Sequence, residues 1–260
     1  MKTFYTTSPA KLNIGLHILG RWPDGYHILE TLLVPYPDLY DDIEVKLLSG
    51  HDRLELHITG IEVPDAEENY LETTYWLLRE RLGRPLPALS VHLHKRIPVS
   101  AGLGGGSGNS GSFLRLLQEI LDPPPTLNFL HEVACEIGSD VPFFLYNQPM
   151  LAKGIGTQMT PFSINLDEFE IFTLTPPVPC STKHIYRGLR PSQWSRTPIE
   201  PILRQGVDTW PNYLHNDLES VSFQLYPTLL VLKKALYDAG AVYASMNGSG
   251  SSLYGLFRRG

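Results

Sequence analysis

Glycine crowds one stretch of this chain. Pro98-Val-Ser-Ala-Gly-Leu-Gly-Gly-Gly-Ser-Gly-Asn-Ser-Gly111 follows a predicted strand and opens into a predicted helix. Missing side chains let backbone N–H groups approach a polyphosphate, and the unpaired donors of a helix N-terminus add a dipole that favours negative charge. No Gly-Lys-Ser/Thr ends the stretch, so it is not a Walker A loop. No βαβ unit with a following acidic residue surrounds it, so it is not a dinucleotide fingerprint. A plain surface loop is the alternative, because glycine also marks turns. Three further places carry chemistry-bearing types. Lys11 and Asn13 sit two apart in a strand, so both face one side while Ala10, Leu12 and Ile14 face the other; an isolated strand lysine is usually solvated. Asp140, in Gly138-Ser-Asp-Val-Pro-Phe143, precedes an apolar run that would partly bury it, and reads as a base or as an ordinary turn or cap aspartate. Met246-Asn-Gly-Ser-Gly-Ser-Ser252 is a second glycine-rich loop between strands, by itself more in keeping with a tight turn than with a site.

The elements that must position these residues follow from periodicity. Alternation over Phe4 to Thr7, Leu12 to Leu19, Ile43 to Leu47, Leu54 to Ile58 and Leu89 to His94 predicts strands with one buried face. Asp65 to Leu82 predicts an amphipathic helix. Tyr70, Leu71, Thr74, Leu77, Leu78 and Leu82 form its apolar stripe, with Glu67, Glu68, Arg79 and Arg81 on the wet side. A second helix begins within Gly106 to Ser112 and runs to Ile120, stopped by Pro123 to Pro125; a third covers Leu127 to Ile137. Beyond Met150 come a strand at Phe169 to Thr175, a proline-rich loop, a helix around Leu225 to Ala239 and a hairpin-like pair flanking Asn247 to Ser251. The change of order places a domain boundary near Gln148, giving domains 1–148 and 149–260.

Composition bounds the function. The 260 residues are 42% hydrophobic and 18% charged, ordinary values for a folded α+β chain with a core of its own. Two cysteines, Cys135 and Cys180, make no disulfide framework, so a reducing compartment is expected. Met1 to Ser8 is short and polar, unlike a signal or transit peptide, and no run of about 20 apolar residues appears. A cytoplasmic protein with no membrane partner is the expectation. A net charge of −6 argues against nucleic acid as a partner, while leaving room for local cations around an anionic substrate. His92 and His94 share a strand face at a spacing two metal ligands could use, but no third ligand is evident and no metal site is assigned. Cys135, within an apolar helix, reads as core.

Taken in order, Pro9 to Gly15, Pro98 to Gly111 and Met246 to Ser252 resemble the three motifs of the GHMP kinases. Within that superfamily Lys11-Leu-Asn13, Gly25-Tyr-His27 and Gly138-Ser-Asp140 are most similar to members that phosphorylate a cytidine diphosphate acceptor. The Arg-Val-Asn-Leu-Ile-Gly-Glu-His type of opening of galactokinases is missing. The resemblance runs over essentially the whole chain. It implies a two-domain α+β fold, with an N-terminal domain like ribosomal protein S5 domain 2 and a C-terminal ferredoxin-like α/β sandwich. It also implies ATP and Mg²⁺ as cofactors and a small-molecule cytidine diphosphate as substrate; it says nothing of oligomeric state.

By the same resemblance Asp140 is the catalytic base and Lys11 its partner, with Asn13 completing the polar cluster. Pro98, Val99, Ser100, Ala101, Gly102, Leu103, Gly104, Gly105, Gly106, Ser107, Gly108 and Asn109 wrap the ATP phosphates, and Lys95 and Asn69 lie around the nucleotide. Tyr26 and Tyr186 sandwich the cytosine, and His27 hydrogen-bonds it. Since stacking accepts any base, selectivity for cytosine is expected to reside in the directional bond of His27. The chain departs from the family pattern at Gly108 and Ser110, where Ser and Ala are more usual, and at Asn247 and Ser251-Ser252. It also ends at Gly260, earlier than the family leads one to expect. Two other readings are a GHMP kinase with a mevalonate- or homoserine-type acceptor, which Tyr26, His27 and Tyr186 oppose, and a non-catalytic nucleotide- or RNA-binding module, which Lys11 and Asp140 oppose.

Overall fold

The computed structural model describes residues 2–63 and 69–260. The chain forms two compact units that each draw on separate stretches of sequence: unit 1 is 1–10, 35–99 and 104–148, and unit 2 is 11–34, 100–103 and 149–260. Two long strands, β1 (Thr3–Arg21) and β2 (His27–His51), contribute to both. The chain leaves unit 1 for the last time at Gln148.

In unit 1 the later part of β2 pairs antiparallel with β4 (Pro87–Lys95), in register Ile43 to Leu93 and Val45 to Val91. β4 in turn pairs parallel with β3 (Leu54–Gly60). Alternation sorts the faces. Ile43, Val45, Leu89, Val91 and Leu93 enter a core with Leu71, Tyr75, Leu78, Phe113, Leu117, Leu130 and Val133. His92 and His94 point to the other face, where both rings hydrogen-bond the hydroxyl of Thr59 at 2.9 Å.

The helical side is α1 (Tyr70–Leu82), α2 (Gly105–Ile120), α3 (Leu127–Ile137) and the short α4 (Val141–Tyr146). The first four residues of the predicted first helix, with Glu67 and Glu68, lie outside the described residues; α1 itself begins after Asn69, whose side chain accepts from the Leu71 N–H. It stops at Gly83, left-handed at φ 63°, after Arg79 and Arg81 have placed positive charge in its last turn. α2 ends at Ile120, ahead of Pro123, and α3 has the predicted bounds, capped by Thr126.

Unit 2 joins the first part of β2 to β5 (Met150–Gly154), and β5 to β6 (Gln158–Pro161). A separate antiparallel sheet has the order β7 (Phe169–Leu174), β9 (Leu253–Arg258), β8 (Tyr243–Met246). The short helices α5 (Thr182–Gly188), α6 (Glu200–Leu203), α7 (Trp210–Tyr213) and α8 (Glu219–Leu225) precede α9 (Pro227–Asp238). Its core gathers Leu16, Ile18 and Leu29 with Ile185, Leu218, Leu229, Leu236, Met246 and Leu253. Among the described residues no helix is long and apolar enough to cross a membrane.

Candidate active site

The glycine segment divides between the units, 98–99 and 104–111 in unit 1 and 100–103 in unit 2. Gly104, left-handed at φ 76°, turns the chain into α2 and offers no side-chain cap. The N–H groups of the first turn, Gly105 to Ser107, are therefore left by helix geometry without intrahelical acceptors. Beside that turn lies the ammonium group of Lys95: a Cβ on Gly105 would come within 3.1 Å of Nζ. The ring of Tyr70 covers the next residue, 3.0 Å from where a Gly106 Cβ would stand.

Lys95 is 4% exposed and pairs with the fully buried carboxylate of Asp41. Its Nζ also donates to Asn109 Oδ1 at 3.1 Å, and Asn109 Nδ2 donates to Asp41 Oδ2 at 2.9 Å. The other oxygen, Oδ1, accepts from the backbone N–H groups of Arg96 (2.7 Å) and Ile97 (2.9 Å). A buried carboxylate with this many donors has its hydrogen-bonding capacity met. Lys95 and Asn109, predicted to lie around the nucleotide, are thus locked together at the start of α2. Asn69, also predicted there, serves as the α1 cap. Asp41 was missed, although a signal existed: it shares strand parity with the core residues Ile43 and Val45, and a carboxylate on a buried face must find a partner.

Asp140 stands at the entry of α4, in right-handed dihedrals and with no side-chain capping bond, so the reading as a capping aspartate does not hold. What positions it is the glycine face of α2. A Cβ at Gly111 would press on Phe144 and sit 2.9 Å from the Val141 carbonyl; one at Gly108 would meet Ser8 Oγ at 2.8 Å and Phe144 at 3.2 Å. Gly108 therefore does more than loosen the phosphate loop. Together with Gly111 it lets α4 lie close against α2.

In unit 2, Lys11 and Asn13 share a face as predicted: Lys11 Nζ donates to Asn13 Oδ1 at 2.5 Å, both residues being buried. Asn13 Nδ2 donates to Thr31 Oγ1, whose hydroxyl passes on to the Gly15 carbonyl. The loop between β8 and β9 closes over the pair, with Gly248 3.6 Å from Lys11 Nζ measured from its hypothetical Cβ. Asn247 holds it there. Its Oδ1 accepts from the Asn13 N–H at 2.7 Å, and its Nδ2 donates to the carbonyls of Lys11 and Gly102. Asn216 donates to the carbonyls of Met246 and Gly248 from below. Asn247 accepts one bond and donates two, whereas a Ser hydroxyl has a single proton to donate and Ala has none.

The aromatic group gathers at the start of β2. His27 is buried, with Tyr186 at 5.5 Å and Trp194 edge-on at 5.7 Å between ring centroids. Burial, with a smaller contribution from Arg21, pushes the His27 pKa below its usual value, so the ring is neutral near pH 7. Tyr26 is 64% exposed. Trp194 was not foreseen; a lone Trp in a loop carries no spacing signal. Elsewhere Cys135 is half-buried, 3.6 Å from His131 one helical turn earlier, and burial raises its pKa, so it is a thiol and not an activated thiolate.

Residues 69–148 match the model of the GHMP kinase N-terminal domain, and 199–260 that of the GHMP kinase C-terminal domain. Over 251 residues the chain is 38% identical to a protein of Azobacteroides pseudotrichonymphae named 4-diphosphocytidyl-2-C-methyl-D-erythritol kinase, covering 96% of this chain and 92% of that one. The chain belongs to the GHMP kinases. A Porphyromonas gingivalis protein of the same name is 38% identical across 96% of this kinase and 90% of its own length. A crystal structure of a 4-(cytidine 5'-diphospho)-2C-methyl-D-erythritol kinase superposes with TM-score 0.79 at 30% identity, covering 97% of this chain and 90% of that one. The homoserine kinase of Cytophaga hutchinsonii superposes with TM-score 0.75 at 20% identity, covering 99% of this chain and 86% of that one; this likeness speaks for the fold. The kinase is thus an ATP-dependent phosphotransferase with the two-domain α+β architecture of its family.

Proposed function

We propose that this GHMP kinase transfers the γ-phosphate of ATP to the 2-hydroxyl of 4-diphosphocytidyl-2-C-methyl-D-erythritol, giving the 2-phosphate and ADP, in the non-mevalonate route to isopentenyl diphosphate. The observation that carries the acceptor is the neutral His27 set in an aromatic corner with Tyr186 and Trp194. A stacking surface holds a nucleobase, and a fixed ring nitrogen chooses among bases by leaving the wrong one unpaired. Tyr26, exposed beside His27, is free to move onto the second face of the base.

In this reading Asp140 accepts the proton of the acceptor hydroxyl, and Lys11, oriented by Asn13, stabilises negative charge on the attacking oxygen and the γ-phosphate. The backbone from Pro98 to Asn109 holds the phosphates. Lys95 and Asn109 hold the first turn of α2 in its charged, donor-rich form. Mg²⁺ neutralises phosphate charge when bound. It takes few protein ligands beside a nucleotide, and the Ser107 hydroxyl, in the first turn of α2, is the oxygen that would hold it. Because phosphoryl transfer has a loose transition state, much of the work is positioning.

The test is ADP release with Mg²⁺ and ATP on the cytidine acceptor, run beside mevalonate and homoserine, for wild type and Asp140→Asn. Turnover of the cytidine acceptor alone, lost in the variant, is expected. Turnover of homoserine or mevalonate instead would overturn the acceptor. Full activity of Asp140→Asn would overturn the role of the carboxylate.

A further inference from the structure

Residues 194–199 run without regular structure between a short helical turn at Pro191–Gln193 and α6. Such a segment has no ladder to hold it, and Arg196 is left-handed at φ 57°, a conformation that persists only where surroundings impose it. The surroundings are buried polar groups of β1, β2 and the segment before α8. Asp217 Oδ2 accepts from the N–H groups of both Ser195 (2.8 Å) and Ile18 (2.7 Å), and its Oδ1 accepts from the Ser195 hydroxyl. The Arg196 N–H donates to the Ile18 carbonyl at 3.1 Å, and the Ile199 N–H to Glu30 Oε2 at 2.7 Å.

His17 closes the set. Thr197 O can only accept and the His215 N–H can only donate, so His17 carries its proton on Nδ1, donating at 2.7 Å, and accepts at Nε2 at 3.1 Å. The strap is thereby tied to the strand that carries Lys11 and Asn13. At its head stands Trp194. Its ring meets His27 edge-on at 5.7 Å between centroids, and its indole Nε1 and the His27 Nε2 are both buried with no hydrogen-bond partner among the described residues. Buried polar atoms in that condition are unusual, and a nucleobase edge presents the complementary donors and acceptors.

We propose that Trp194 is a further specificity-determining residue of the acceptor pocket and that Asp217 is its positioning residue, acting through the strap 194–199. The inference rests on the cytidine reading of the His27 corner. Asp217 touches no reacting group; it fixes where the indole stands relative to His27. Both backbone N–H groups, one from β1 and one from the strap, end on a single oxygen, Oδ2, so an amide could keep them by turning only the Ser195 hydroxyl bond around, whereas Asp217→Ala removes all three bonds.

The experiment is steady-state kinetics of the full chain with ATP and the cytidine acceptor varied in turn. Asp217→Ala is expected to raise the KM for the acceptor about tenfold while the KM for ATP stays within about twofold, as loss of a binding contact confined to one substrate requires. Trp194→Phe is expected to do the same, and the double variant to be no worse than the poorer single one, because both act on one contact. Ser195→Ala, which removes one bond to Asp217 from a partly exposed position, shifts the acceptor KM in the same direction by about twofold to threefold, and serves should Asp217→Ala fail to fold. An unchanged acceptor KM in Trp194→Phe, an equal rise for both substrates in Asp217→Ala or Ser195→Ala, or additive effects in the double variant would each overturn the inference. His27→Ala separates it from the reading beneath: a raised acceptor KM there with no change in Trp194→Phe sinks the strap alone, while no change in either sinks the base pocket itself.

Discussion

The two units hold their functional groups by different physics. In unit 1 the proposed nucleotide side is built from backbone: the uncapped start of α2, glycines that admit α4, and one buried ion pair, Lys95–Asp41, bracing the turn. In unit 2 the proposed acceptor side is built from side chains, in a web of neutral or singly charged partners running from Lys11 through Asn13, Thr31, Asn247 and Asn216. Phosphate is recognised by any array of N–H groups, so glycine and a dipole suffice. An acceptor must be distinguished from other alcohols, and that takes donors and acceptors at fixed places.

The comparison is broken first at the chemistry. Asp140→Asn is expected to lower the turnover number by about 10²- to 10⁴-fold, the usual worth of a positioned base, with an unchanged melting temperature. A loss below tenfold in an ADP-release assay would place Asp140 among orienting groups.

Next comes the ion pair. Lys95→Met leaves Asp41 in the core without its counter-ion, and losing one partner of a buried pair costs about 3–5 kcal/mol. Urea unfolding followed by circular dichroism is expected to show that loss, whereas Lys95→Met combined with Asp41→Asn recovers much of it. Equal losses in the single and double variants would mean that the pair does not brace unit 1.

A smaller effect is expected where α4 meets α2. Gly111→Ala forces a methyl against the Val141 carbonyl and Phe144, an overpacking that costs about 1–3 kcal/mol. Because α4 carries Asp140 at its entry, turnover should fall further than the melting temperature alone explains. Wild-type turnover in Gly111→Ala would show that the close approach serves packing only.

The smallest effect is on the pH dependence of unit 2. Burial depresses the pKa of His17 below its ordinary 6.5, with the Thr197 bond opposing this less strongly. Below pH 6.5 the unfolded chain therefore takes up a proton that the folded one resists, so stability is fully present above pH 6.5 and declines as pH falls beneath it. Melting temperatures at pH 7.5 and 5.5 should reveal the decline, and His17→Gln should flatten it. A decline of the same size in His17→Gln would assign it to other groups.

Much of this was legible in advance. Strand over 4–7, 12–19, 43–47, 54–58 and 89–94 and helix α3 follow from period 2 and period 3.6 patterns, whereas the first part of β2, β5 and β6 were not predicted; Lys11 and Asn13 share a face because strand parity leaves no choice. Trp194 and the strap were not legible, because their partners Asp217, His17 and Glu30 lie far away in sequence and irregular backbone has no period to read. Asn247 looked like a turn residue for a similar reason: its partners, Asn13 and Gly102, come from two other stretches of chain.

By itself, then, the sequence determined the elements, the family and the identity of the chemical groups, since local periodicity and motif order are written along the chain. Only the tertiary structure decided that 11–34 and 100–103 pack with the C-terminal half, that Gly108 and Gly111 are the seat of α4, and that Asp41 and Asp217 are buried carboxylates with work to do. Those facts depend on close approach and on which buried polar group meets which partner, and neither is encoded in the spacing of residues within one element.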